Sequence, residues 1–104
     1  MFARGAVWMA EMGGKRRPVV IVTNDALCDV LTRLTIVGVT TTRRGVRTEV
    51  ELGSANGVKE GSVMNCLDLA TVPTDILSRP LGELDVGQSR ALDRALATAL
   101  GIPS

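Results

Sequence analysis

The amino-acid sequence predicts a small, mainly β barrel closed by one C-terminal α-helix, an α+β arrangement in a single domain over residues 1–104. Three observations predict it. Short runs rich in β-branched residues are separated by glycine-bearing turns from Ala6 to Leu84. One apolar stripe with helical spacing occupies the end of the chain. Neither an internal repeat nor a linker divides the whole, and 104 residues are enough for one core but not for two.

Taken in order, Ala6–Ala10 reads as a first strand anchored by Trp8. Glu11-Met12-Gly13-Gly14 reverses the chain, because paired glycines supply the positive φ that a tight turn needs. The second strand is the unbroken apolar run Val19–Val22, headed by Pro18. Proline has no amide donor, so it is expected at the first residue of a strand and not in its middle. Asn24 to Leu31 reads as a turn or a short helix, with Thr23 or Asn24 as its cap. Leu34–Thr40 is a third strand, in which Gly38 marks a bulge or a close approach of backbones. From Val46 to Leu52 a period of two describes a half-exposed strand, followed by the loop Gly53–Gly57. Ser62–Leu69 is the next strand, Thr71–Leu77 a turn with one helical turn, and Arg79–Leu84 the last strand.

The helix after Asp85 carries the clearest local signals. Asp85 and Gln88 have capping-box spacing, Leu92, Ala95, Leu96, Ala99 and Leu100 form the stripe, and Gly101 and Pro103 end it.

Composition narrows the function. At 45% hydrophobic and 22% charged the chain is globular. No apolar run approaches the roughly 20 residues of a membrane span, and the N-terminus lacks a signal-peptide pattern, so a cytoplasmic protein is expected. Two cysteines, Cys28 and Cys66, make no disulfide framework and are expected as small buried side chains. With no histidine and with acidic residues scattered singly, neither a metal site nor any cofactor is expected. A mean hydropathy of +0.23 is apolar for a chain this small, and predicts that some surface is covered by a second copy.

A net charge of +1 argues against a broad nucleic-acid footprint. Six of the twelve Lys and Arg residues, however, fall in Lys15-Arg16-Arg17 and in Arg43-Arg44-Gly45-Val46-Arg47. Such clusters more often describe solvated loops. A guanidinium set by a rigid strand is nonetheless a fork that takes a phosphate through two hydrogen bonds.

The order of these pieces resembles the MazF/PemK family of toxin endoribonucleases. RGAVWMAEM is similar to the family's opening, GGKRRPVVIVTND to its GG-x-RP signature with an apolar run and S/T-N, and VGVTTT to its P-x-T-[TS] strand. SVMNCLDLATV resembles its S-V-x-x-x-x-Q-[VIL]-x-T-[VIL] strand, and LGELD through ALATALGI its closing helix. The chain departs from the pattern at Ala6, where an acidic residue is common, and at Asp68 and Ala70, where Gln and a basic residue are common.

The resemblance implies an SH3-like barrel, a homodimer, metal-independent cleavage of single-stranded RNA, and inhibition by a MazE-like antitoxin whose tail occupies the RNA groove. It places the catalytic arginine on Arg17 and the catalytic threonine on Thr40, with Thr41 as the alternative one residue along. Arg4, Lys15, Arg16, Asn24, Thr41, Arg43, Arg44, Arg47 and Asn65 are the residues expected to hold RNA. Cleavage through the RNA's own 2′-hydroxyl needs a base, a stabiliser of the anionic phosphorane and a proton for the leaving oxygen. Arg17 suits the second role, since a guanidinium keeps its proton. The base is unassigned by sequence, and Glu11 is the carboxylate candidate. Two other readings stand beside this one, a CcdB-like gyrase-binding toxin and a barrel that only binds a partner. The Arg17 and Thr40 pair favours the ribonuclease.

Overall fold

The structure, a computed structural model, describes residues 1–103. Six strands form one antiparallel sheet: β1 (Ala6–Met12), β2 (Lys15–Ile21), β3 (Arg33–Thr40), β4 (Glu49–Leu52), β5 (Ser62–Pro73) and β6 (Leu77–Glu83), in the order β4-β5-β3-β2-β1-β6. The sheet curls into a half-barrel, and α1 (Val86–Leu100) packs across β4 and β5. The predicted small barrel with a C-terminal helix is therefore present, left open between its two edge strands. Asn56 bridges that opening. Its Nδ2 donates to the Glu83 carbonyl (2.9 Å) on the β6 side, and its Oδ1 accepts from the Gly53 amide (3.0 Å) just after β4.

The unbroken apolar run of β2 is explained by burial on both faces. Val20 and Val22 join Val7, Val37, Val39, Met64, Leu92 and Ala95 in the cluster beneath the helix. Val19 and Ile21 join Ala10, Leu34, Ile36 and Val72 on the other face, where Phe2 and Trp8 pack with ring centroids 4.9 Å apart. At about 25 cal/mol per Å² of apolar surface removed from water, alternate placement lets this run stabilise both clusters, as Val37 and Val39, and Leu34 and Ile36, of β3 also do. Cys28 and Cys66 are buried free thiols, and burial pushes the Cys66 thiol up to about 11. No helix of the described residues is long and apolar enough to cross a membrane.

Several boundaries differ from expectation for local reasons. Strand β2 begins at Lys15, which puts Pro18 inside it, opposite Met9 of β1. The β3 ladder reaches only as far as Val19↔Gly38, so Pro18 is free of a neighbour on that side and its missing donor leaves no gap. Strand β4 covers only Glu49–Leu52, because the Glu49 amide turns back onto the Val46 carbonyl (3.1 Å) and Gly45 adopts φ +70°. Strand β5 continues to Pro73, and the 3-10 turn is confined to Thr74–Ile76. Asn24, rather than Thr23, caps the 3-10 turn Asp25–Leu27, its Oδ1 accepting from the Ala26 amide at 2.9 Å.

The capping box of α1 is present. Asp85 Oδ1 accepts from the Gln88 amide (2.7 Å), while Gln88 Oε1 accepts from the Asp85 amide (3.0 Å). Leu92 and Ala95 are buried on its stripe, but Leu100, in the last turn before the Gly101 cap, is 58% exposed.

A cationic pocket at a bulge in the sheet

The site is made by an irregularity in the β3–β5 ladder. Val37 faces Leu69 but the next residue, Gly38, faces Asn65, so Cys66, Leu67 and Asp68 are looped out of the pairing. Cys66 remains buried, its amide donating to the Thr48 carbonyl (2.8 Å), and the Leu67 amide donates to Asn65 Oδ1 (3.0 Å). This excursion brings Asp68 over Gly38, where Oδ2 accepts from Arg17 Nη2 at 2.8 Å. Only glycine fits beneath the pair. A Cβ on residue 38 would overlap both Asp68 Oδ2 and Arg17 Nη2.

Register explains why Arg17 and Thr40 meet. Val19 pairs with Gly38 in an antiparallel ladder, so two residues further out, and on the same face, come Arg17 and Thr40. They line a cavity of about 270 Å³ together with Thr42, Arg44, Asn65 and Asp68.

Most of this lining presents donors. The Thr40 Oγ1 accepts from the Thr42 amide (3.1 Å), which leaves its O–H to donate. The Asn65 Oδ1 is taken by the Leu67 amide and by the Thr48 hydroxyl (3.3 Å), which leaves the amide hydrogens for a ligand. Arg44 is set from its backbone. Glu49 accepts the amides of Arg44 (2.9 Å) and Gly45 (2.9 Å). Burial pushes the Glu49 carboxyl up, but the amides of Arg44, Gly45 and Val46 and the charge of Arg43 outweigh it and hold the group below its usual range. With two guanidinium groups against one carboxylate, the cavity carries an excess of one positive charge.

Other expected residues lie elsewhere. Glu11 faces Arg16 in the β1–β2 ladder, 4.0 Å between charges, and the two line a separate cavity of about 220 Å³ with Met9, Ser78 and Arg79. Successive residues of a strand point to opposite faces, so Glu11 lies on the side of the sheet away from Arg17, which faces Ala10. The expected base is thus out of reach of the Arg17 cavity. Arg4 is tied to Asp93 (2.8 Å) and to the Val22 carbonyl, and Asn24 caps its turn beyond the far end of β2. Lys15 is exposed at the β1–β2 turn, Arg43 pairs with Glu51, and Thr41 is exposed outside the cavity that Thr42 enters. Arg47 lines a larger cleft of about 470 Å³ between β4 and α1, with Val50, Ala91, Arg94 and Ala95. That cleft is the roomier one, but it holds neither Arg17 nor a threonine of the 40–42 group.

Asp68 and Thr42 are the lining residues that sequence reasoning passed over. The glycine in the middle of β3 was the available signal for Asp68, since a close approach at Gly38 requires something to approach.

The class of protein is thus an open, curled six-stranded sheet with one C-terminal helix and a donor-lined pocket of net positive charge beside its bulge. The family model for the PemK-like, MazF-like toxins of type II toxin-antitoxin systems matches residues 3–100, and the chain belongs to that family. It is 38% identical over 88 residues to Endoribonuclease MazF3 of Mycobacterium tuberculosis (strain ATCC 25618 / H37Rv), covering 85% of each chain. Among solved structures it resembles the Mycobacterium tuberculosis toxin MazF-mt6, with TM-score 0.89, 34% identity, and 95% of this chain and 99% of that one covered. A mycobacterial endoribonuclease solved in complex with its cognate antitoxin gives TM-score 0.91 at 32% identity, covering 100% and 99% of the two chains.

Proposed function

We propose that the protein is the toxin of a type II toxin-antitoxin pair and acts as an endoribonuclease on single-stranded RNA, with the Arg17 cavity as its active site. The observation that carries this reading is the shared placement of Arg17 and Thr40 in one donor-lined pocket of a chain belonging to this toxin family. Arg17, fixed by the β1–β2 ladder, stabilises the phosphorane, where a preorganised donor contributes on the order of a hundredfold or more in rate. The Thr40 hydroxyl and the Asn65 amide hold phosphate oxygens. Arg44 supplies charge from the loop.

Among the described residues no cluster of three or more His, Cys, Asp or Glu is placed to hold a metal ion. The nucleophile of this reading is accordingly the 2′-hydroxyl of the RNA, and the products are a 2′,3′-cyclic phosphate and a 5′-hydroxyl. In this reading the protein works in the cytoplasm as a homodimer and is silenced by a MazE-like antitoxin; a mycobacterial relative solved in complex with its cognate antitoxin supports an antitoxin partner.

The test is incubation with a long single-stranded RNA in EDTA, followed by end-labelling. A downstream fragment that accepts phosphate from a kinase without prior phosphatase treatment has the expected free 5′-hydroxyl. A 5′-phosphate, or activity abolished by chelation, refutes this chemistry.

A further inference from the structure

We propose that Asp68 is the general base of this site, taking the proton from the attacking 2′-hydroxyl; the proposal rests on the ribonuclease reading above. The chain has no histidine, and Glu11 faces the other side of the sheet. Of the six residues lining the Arg17 cavity, two are guanidinium groups, two are hydroxyls and one is an amide, none of which takes up a proton near neutral pH. Asp68 is the remaining one, and its carboxylate is brought there by the three-residue excursion of β5 over Gly38. Its side chain is 49% exposed, so it is open to a substrate, and the Arg17 contact at 2.8 Å is a surface ion pair of the weak kind that a phosphate readily enters.

Charge balance supports the role. With one phosphodiester bound, Arg17 and Arg44 carry two positive charges against the negative charges of the phosphodiester and Asp68. As the 2′-oxygen bonds to phosphorus, its proton passes to Asp68, which becomes neutral while the phosphorane becomes a dianion. The sum in the cavity stays at zero throughout, so attack requires no separation of charge from the two guanidinium groups. The bond from phosphorus to O5′ then breaks, and O5′ takes a proton from water in the open cavity. Asp68 returns its own proton to the resulting hydroxide, which restores the carboxylate and leaves no net change in protons.

The competing account is that Asp68 only occupies Arg17 until RNA displaces it. Single-turnover cleavage at saturating RNA, measured in wild type, Asp68→Asn and Asp68→Ala, separates the two. As a base, Asp68→Asn lowers the cleavage rate by roughly a hundredfold or more, the usual contribution of a positioned acid or base. RNA affinity is retained or rises, the melting temperature is unchanged, and formate restores part of the activity of Asp68→Ala.

An Asp68→Asn variant that cleaves as fast as wild type or faster overturns the proposal in favour of an occupant. A slow variant with weakened affinity or thermal stability, which formate does not rescue, overturns it in favour of a structural role. Wild-type protein that leaves a 5′-phosphate, or cuts no RNA, overturns the ribonuclease reading itself and the proposal with it.

Discussion

Arg17 and Arg44 line one cavity but reach it from different kinds of backbone. Arg17 stands on a strand paired with β1 and stacked over two buried clusters, its side chain resting on Gly38. Arg44 stands on the loop between β3 and β4, whose shape depends on one carboxylate, Glu49, gathering the amides of residues 44 and 45. A strand sets a side chain to within a fraction of an ångström, which matters where charge develops in a transition state. A loop sets it less sharply, which is enough for attracting a phosphate through long-range charge.

The largest effect should separate the two at once. Arg17→Ala lowers the cleavage rate by about a hundredfold or more while RNA affinity falls only modestly, read by single-turnover kinetics beside a filter-binding titration. A normal rate in this variant would erase the distinction.

Next comes Gly38→Ala. The atoms that the new methyl would meet are the ends of the flexible Arg17 and Asp68 side chains, so the fold accommodates it while the pair is displaced by about an ångström. Cleavage should fall by roughly ten- to a hundredfold with the melting temperature nearly unchanged. A large drop in thermal stability instead would mean that the backbone, and not the pair, had moved.

Arg44→Ala should act on binding. Affinity weakens for all RNA sequences alike, and the slope of log affinity against log salt flattens by about one unit or less, the change expected when a single phosphate is no longer neutralised.

The smallest effects belong to Glu49 and Glu11. Glu49 is held below its usual range in the folded protein, so its contribution is fully present above the ordinary carboxylate pKa of about 4.3 and is lost as the pH falls through the depressed folded value. The NMR signals of the Arg44 and Gly45 amides should therefore shift together on acidification, ahead of the β1–β2 amides, and Glu49→Gln should reduce that shift. Glu11→Gln should leave the rate within about twofold of wild type, since surface changes away from a site are nearly neutral.

The legible part of this molecule was whatever depends on neighbours in sequence. The β-branched run 19–22, the glycine turn at 13–14 and the Asp85–Gln88 box can all be read locally, because propensity, turn geometry and capping act over a few residues. The Arg17 and Thr40 candidates rested on a family resemblance, and register then put them on one face. Expectations failed where particular hydrogen bonds, and not strand propensity, decided the matter. Pro18 lies inside β2 because β3 stops short of it, and Val46–Thr48 leave the strand because Glu49 gathers the loop amides.

The same division runs through the site. By itself the sequence determined a small barrel with a helix, a strand with Arg17 just before its Pro18 head, and a glycine at a bulge or a close approach of backbones. Only tertiary structure decided that Asp68, 51 positions from Arg17, closes on it, that Thr42 enters the cavity while Thr41 stays out, and that Glu11 and Arg47 belong to other clefts. The physical reason is the period of two along a strand and the freedom to break it. A single three-residue bulge in β5 changes which side chains share a face, and nothing in the local propensities of Cys66, Leu67 and Asp68 announces where that bulge will fall.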